Sequence, residues 1–184
     1  MPPQLLTERL VMSAHTRDDF DECAAMWGDA DVTRYIGGRP FSREEVWSRI
    51  LRYAGLWTLL GFGYWAVRER EGGRFVGDVG FADFHRDIMP SLGNSPEAGW
   101  ALAPWAHGQG FATEALNAAL TWGDAQLPST PTAPARFVCL IAPENARSAR
   151  VAEKCGFHQS ARGTYKEHPT IIYERPVAPR VDAR

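Results

Sequence analysis

A glycine-rich turn running into an amphipathic helix, between Gly108 and Leu127, restricts what this 184-residue chain can fold into more than any other stretch. Ala112, Ala115, Leu116, Ala119, Leu120, Gly123 and Leu127 recur at the i, i+3, i+4, i+7 spacing of a core-facing stripe, with Thr113, Asn117, Thr121 and Asp124 opposite. The first-turn N–H groups of such a helix need acceptors, yet no Ser, Thr, Asp or Asn stands immediately ahead of it. Gly108 and Gly110 stand there instead, letting the backbone approach a partner closely. Free amides at the positive end of the helix dipole suit phosphate oxygens. A ligand-free tight turn would use the same two glycines. A Walker loop, which needs Gly-Lys-Ser/Thr, and a dinucleotide Gly-x-Gly-x-x-Gly fingerprint are both absent.

The flanks extend the pattern. Glu97 to Ala103 alternates Glu97, Gly99 and Ala101 with Ala98, Trp100 and Leu102, which predicts a strand feeding the glycine loop directly. After a Pro/Thr linker from Pro128 to Pro134, the apolar run Arg136 to Ile141 suits a strand buried on both faces, so strand, helix and strand form a parallel crossover. Upstream, Arg9 to Ala14 reads as a strand. Thr16-x-x-Asp19 caps a short helix striped by Phe20, Cys23, Ala24 and Trp27, and Ala30 to Pro40 is an ordered loop. The capping box Ser42-x-x-Glu45 opens a helix to about Leu60, striped by Val46, Ile50, Tyr53, Ala54 and Trp57. Tyr64 to Arg70 and Arg74 to Phe84 make an antiparallel hairpin across Gly72-Gly73, and His85 to Pro96 is a loop. Asn145 caps a helix that Gly156 stops, and Phe157 to Ser160 and Thr170 to Glu174 are the last strands. The expected class is α/β (α+β), one domain over residues 1–176 with a loose tail at 177–184.

With 45% hydrophobic residues the chain can bury one sizeable core, and a net charge of −2 offers no general footprint for nucleic acid or an anionic membrane. No run approaches the roughly 18 apolar residues of a membrane span, and the opening residues are not a signal peptide. A cytoplasmic protein is expected, and a homodimer stays open. Cys23, Cys139 and Cys155, without a Cys-x-x-Cys pair, read as reduced, mostly buried thiols; Cys155 as a nucleophile is the weaker alternative.

His107-Gly108-Gln109-Gly110-Phe111-Ala112 resembles the acyl-CoA loop of the GNAT N-acetyltransferases, Gln/Arg-x-x-Gly-x-Gly/Ala, with His107 replacing Gln or Arg. Thr7-Glu8-Arg9-Leu10, Pro96-Glu97-Ala98-Gly99-Trp100, Asn145-x-x-Ser148 and Glu153-Lys154-Cys155-Gly156-Phe157 are similar to further motifs of the branch that holds the ribosomal-protein N-terminal acetyltransferases (RimJ/RimL-type). The resemblance spans roughly residues 7 to 175. It implies the GNAT fold: a mixed, mostly antiparallel central sheet splayed between its fourth and fifth strands, residues 97–103 and 136–141, with about four flanking helices. It further implies acetyl-CoA as acetyl donor and no metal. The pantetheine arm would pair with the fourth strand, Leu102 included, and the pyrophosphate would lie over His107, Gly108, Gln109, Gly110, Phe111, Ala112 and Thr113. Asn145 and Ser148 would face the thioester end, Asn145 also serving as a helix cap.

Such a reaction needs a base, because an amine with a pKa near ~10 is protonated at neutral pH, and the leaving thiolate must gain a proton. Glu97 is the candidate base, a structural ion pair being the alternative use of that carboxylate. Many relatives place an acid Tyr where this chain has Ala152, so Ser148 is the nearest hydroxyl, to protonate or orient the sulfur or only to bind CoA. His85 and His107 titrate near neutrality and also read as plain loop residues. The acceptor side draws on Tyr35, Trp57, Phe84, His85 and Trp100, with Asp83, Asp87 and Glu97, and suits a primary amine on a protein N-terminus or a small molecule. At least half of those aromatics read equally well as core. Direct acetyl transfer to an amine leads, ahead of a non-catalytic acyl-CoA sensor and a phosphate-binding scaffold.

Overall fold

The computed structural model describes residues 2–127 and 136–177, so the expected linker at 128–134 and the tail from 178 lie outside the described residues. Eight strands form one sheet: β1 (Leu5–Leu6), β2 (Leu10–Ser13), β3 (Tyr64–Glu69), β4 (Phe75–Ala82), β5 (Glu97–Leu102), β6 (Arg136–Ile141), β7 (His158–Tyr165) and β8 (His168–Pro176). Their spatial order is β1-β2-β3-β4-β5-β6-β8-β7. Among the described residues only the β5/β6 contact is parallel. Five helices flank the sheet: α1 (Phe20–Trp27), α2 (Ala30–Thr33), α3 (Arg43–Leu60), α4 (Phe111–Gln126) and α5 (Ala146–Lys154). None is long and apolar enough to cross a membrane.

The strand alternation decides which layer each side chain joins. Trp65 and Val67 of β3, Val79 and Phe81 of β4 and Ala98 of β5 face α4, meeting Ala115, Leu116, Ala119 and Leu120 in the main core. Gly123 lets α4 settle on the sheet, because a Cβ there would lie 2.6 Å from the Phe137 ring. Ala66, Phe75 and Ala101 face the other way, under Cys23, Met26, Trp27, Val46 and Ile50 of α1 and α3. The Ser42 capping box forms as expected, with Ser42 accepting the Glu45 N–H at 3.2 Å and Glu45 accepting the Ser42 N–H at 2.8 Å.

Three expectations are corrected. Leu56, not Ala54, completes the α3 stripe: Ala54 is exposed and Leu56 buried. A 3-10 turn, Pro104–Ala106, separates β5 from the glycine loop. The last hairpin is longer than its apolar residues suggest, because the outer strand β7 is mostly exposed and its polar residues form a full ladder with β8.

Beneath α1 and α3, Asp78 is fully buried and accepts from four groups: His15 Nε2 at 2.8 Å and the Cys23 thiol at 4.0 Å on Oδ1, and the Trp27 indole N–H at 2.8 Å and the Tyr53 hydroxyl at 3.3 Å on Oδ2. Buried donors deprived of an ionised acceptor are costly, so Asp78→Asn should lower stability by about 1–3 kcal/mol. A urea midpoint that falls while the m-value holds would agree; an unmoved midpoint would show the knot to be dispensable.

Candidate active site

β5 and β6 touch at one register position, Glu97 opposite Val138, where the Val138 N–H donates to the Pro96 carbonyl at 3.1 Å. Beyond it each strand pairs only on its outer side among the described residues, β5 with β4 over Glu97–Leu102 and β6 with β8 over Arg136–Ile141. The two therefore diverge into a wedge that leaves one backbone edge of β5 without a strand partner. An edge of that kind must find hydrogen-bond partners outside the sheet.

The glycine loop lies beyond the Leu102 end of β5. Gly108 and Gly110 have φ of 77° and 83°, and Gly110 is the N-cap of α4 with no side-chain acceptor for the first-turn amides. A side chain would strain both positions. Three bonds brace the turn: His107 Nε2 lies 2.9 Å from the Leu102 carbonyl, the Gln109 amide donates to Trp105 O at 2.6 Å, and Arg9 Nη1 donates to Gln109 O at 3.0 Å. His107 is thus tied back to β5 rather than aimed outward. Glu114, in the first turn of α4, would repel an anion there. It is held instead by the Thr7 hydroxyl at 2.5 Å and by Arg9, whose guanidinium also covers the Phe111 ring at 4.5 Å. Burial alone would raise the Glu114 pKa, but the bonds from Thr7 and Arg9 outweigh it and hold the carboxyl below its usual range. This accounts physically for Thr7-x-Arg9 at the start of the chain, a role the sequence did not reveal.

At the closed end of the wedge Glu97 is 8% exposed and is clamped by Arg86, whose Nε and Nη2 meet the two carboxylate oxygens at 2.5 and 2.6 Å. The Arg86 guanidinium is itself held between the rings of Phe84 and Tyr165, 4.6 Å from each centroid. On the same face Tyr64 reaches to Gly99, where a Cβ would lie only 2.0 Å from its hydroxyl, so glycine is required for that approach. Tyr64 is stacked on Tyr53 at 4.6 Å, and Tyr53 is anchored by Asp78. Burial, with the Glu97 charge adding to it, pushes the Tyr64 phenol well up, so it keeps its proton. A cavity of about 270 Å³ opens here, lined by Asp83, Phe84, His85, Arg86 and Glu97 together with the 91–95 loop.

Of the residues expected on the acceptor side, Asp83, Phe84, His85 and Glu97 share that cavity. Tyr35 is 42% exposed in the turn after α2 and lines neither cavity. The Trp57 indole donates to Tyr64 O at 3.0 Å while its ring packs edge-on against Trp65 and Trp122, which makes it core. Trp100 lies on the opposite face of β5 from Glu97, against the α4 core, as strict alternation requires. Asp87 is exposed beside the cavity and outside its wall. On α5, Asn145 Oδ1 caps the helix by accepting the Ser148 N–H at 3.1 Å. Arg86 and Tyr64 were missed; the narrowing series Glu97, Gly99, Ala101 on one face was the signal that something large packs over β5.

His15, Cys23 and Asp78 bring donor atoms within 4.8 Å of one another, a grouping with metal-ligand chemistry. Because Trp27 and Tyr53 already share Asp78, we assign it a structural role. The buried cysteines do not suit nucleophilic work: burial pushes the Cys155 thiol up to about 11, and Cys139 well above its usual value.

The site thus combines a strand wedge, a helix N-terminus without a side-chain cap at its open end and a buried carboxylate at its closed end. Residues 9–158 match the Acetyltransferase (GNAT) domain, and the chain belongs to that family of acetyl-CoA-dependent acetyltransferases. The Bacillus subtilis protein described as uncharacterized N-acetyltransferase YoaA is 27% identical over 163 residues, covering 86% of this chain and 85% of that one. A putative GnaT-family acetyltransferase from Bordetella pertussis superposes with a TM-score of 0.80 at 29% identity, covering 95% of this chain and 99% of the other. The fold is also that of the ribosomal L7/L12 alpha-N-protein acetyltransferase RimL in complex with coenzyme A, with a TM-score of 0.75 at 16% identity and coverage of 95% and 98%.

Proposed function

We propose that the protein transfers the acetyl group of acetyl-CoA directly to a primary amine, with both substrates bound at once. The observation that carries this reading is the single-bridge wedge between β5 and β6, opening toward the Gly108–Gly110 cradle and closed by Glu97. The amides from Gly108 to Thr113 would take the pyrophosphate, with Arg9 beside them cancelling Glu114. The unpaired edge of β5, Leu102 included, would bind the pantetheine arm, and its N–H groups would meet negative charge developing on the thioester oxygen. Ser148 and Asn145 would border the thioester end from α5.

Glu97 would accept the amine proton through a water molecule, since Arg86 already occupies both carboxylate oxygens. The pair would also hold a fixed dipole at the cavity that receives the amine. Tyr64, which keeps its proton, would orient groups over Gly99 by hydrogen bonding. Asp83 and the exposed His85 and Asp87 would border the amine's entry. The acetyl-CoA sensor is the second reading, because Arg86 occupies both oxygens of the candidate base.

An acceptor screen that follows free-thiol release from acetyl-CoA tests the assignment. Primary amines should turn over at neutral pH faster than alcohols or thiols of the same skeleton. Turnover confined to hydroxyl or thiol acceptors would overturn the amine assignment, and binding without turnover of any acceptor would favour the sensor.

A further inference from the structure

Acetyl transfer leaves unused a pair of charges on the acceptor side. Arg49 and Arg52 lie one turn apart on α3, on the same flank of the helix. Their neighbours Arg39, Arg43 and Arg86 each hold a carboxylate, those of Glu45, Asp21 and Glu97, whereas among the described residues Arg49 and Arg52 hold none. The Arg49 guanidinium lies 3.8 Å from the centroid of the Trp27 ring and 4.9 Å from that of Phe41, and donates to the Tyr53 hydroxyl at 3.4 Å. Its Nε is buried with no hydrogen-bond partner among the described residues, and a buried orphan donor in a native structure calls for an explanation. Arg52 lies over the Phe84 ring at 5.6 Å. Burial, and next the charge of Arg49, pull the Arg52 pKa below the usual guanidinium range, as expected of like charges without an anion between them.

A cavity of about 310 Å³ opens at these two arginines, lined by Phe41, Glu44, Glu45, Ser48, Arg49 and Arg52. The Glu45 carboxylate is already taken by Arg39 and the Ser42 N–H, so two guanidiniums face one exposed acid, Glu44. Phe84 connects the two cavities: it lines the one at Glu97 and lies under both Arg86 and Arg52, the latter a wall of the second cavity.

On the acetyl-transfer reading above, we propose that the cavity at Arg49 and Arg52 is the acceptor's specificity subsite and that the acceptor is a primary amine carrying a carboxylate. The amine enters at Glu97 and the carboxylate seats on the two guanidiniums. Their planar forks match a carboxylate in two-point contact, and Phe41, which lines the cavity, and Phe84, which lies under Arg52, take the carbon skeleton between the two ends. A polycation would place positive charge against both arginines and is disfavoured. The carboxylate can belong to a free amino acid-like molecule or to an acidic residue near a peptide N-terminus.

The test is steady-state kinetics at saturating acetyl-CoA with paired acceptors: ω-amino carboxylates of increasing chain length, their primary amides, short peptides with acidic or amide residues near the amino terminus, and spermidine. A hydrogen-bonded charge pair corresponds to a preference in kcat/KM of roughly tenfold to a hundredfold for carboxylate over amide. Arg52→Gln should bring that ratio toward one through the acceptor KM, and Arg52→Lys should keep part of it. Arg52 has no hydrogen-bond partner among the described residues, so the exchange leaves none of the internal bonds broken. A preference among peptides alone would identify the source as a peptide, and one among the small acceptors would identify it as a free molecule; either supports the subsite. Amides or spermidine used as well as carboxylates, or an Arg52→Gln variant that slows both members of each pair equally, would overturn it while leaving acetyl transfer intact. Absence of thiol release with every amine would remove the acetyl-transfer reading, and this proposal with it.

Discussion

Glu97→Gln is expected to lower kcat on the order of 10²-fold while leaving acetyl-CoA affinity nearly unchanged. The replacement keeps the shape of the side chain but removes the charge that Arg86 clamps and the site that would take the amine's proton. It also leaves a guanidinium only 18% exposed without its counter-ion, so some loss of thermal stability is expected alongside the kinetic effect. Arg86→Gln separates the two consequences. With the guanidinium gone both carboxylate oxygens are free and Glu97 remains, so turnover should survive far better than in Glu97→Gln if Glu97 is the base, whereas the ion pair is lost in both. A Glu97→Gln enzyme with full activity and the same pH profile would place the base in water or in another residue.

Gly110→Val is expected to weaken acetyl-CoA binding by roughly 10²-fold, through the loss of one or two charge-assisted backbone bonds. At φ 83° a β-branched residue is strained whatever the surrounding space, so the turn must move and its amides lose their aim. Space itself is not the obstacle: the nearest atom to a Cβ there is Arg9 Nη2, at 3.5 Å. Because the loop is exposed, the fold should survive. Calorimetry that finds unchanged acetyl-CoA affinity in a folded variant would dissociate the glycines from cofactor binding.

Much of the architecture was legible because burial and periodicity coincide. The α4 stripe, the Ser42 box and the apolar run at β6 each have one consistent solution, and each forms where the sequence puts it. Legibility fails where polarity and structure part company. β7, at the sheet's edge, has no apolar alternation, so only its pairing with β8 makes it a strand. The glycine cradle was readable from an absent cap, a local property. The acceptor side was readable only in part, in Asp83, Phe84, His85 and Glu97, because membership depends on which face of the sheet a residue takes and on contacts distant in sequence. Trp57 and Trp100 look like pocket walls in sequence, yet both pack into the layer under α4. Arg86, in a loop of mixed residues, had no pattern to announce it; what gives it meaning is Glu97, eleven positions away and within bonding distance. Arg49 and Arg52 had no such pattern either; it is the fold that brings Trp27, Tyr53 and Phe84 around them.

The central claim is that β5 and β6 part to receive acetyl-CoA, with its phosphates at the start of α4 and its thioester near Glu97. A crystal structure of the acetyl-CoA complex measures this directly. Pyrophosphate oxygens are expected on the amides between Gly108 and Thr113, the pantetheine arm hydrogen-bonded to the free edge of β5, and the acetyl group opposite the cavity of Phe84, Arg86 and Glu97. A cofactor bound with its phosphates away from the α4 N-terminus, or with its thioester outside the wedge, would contradict it.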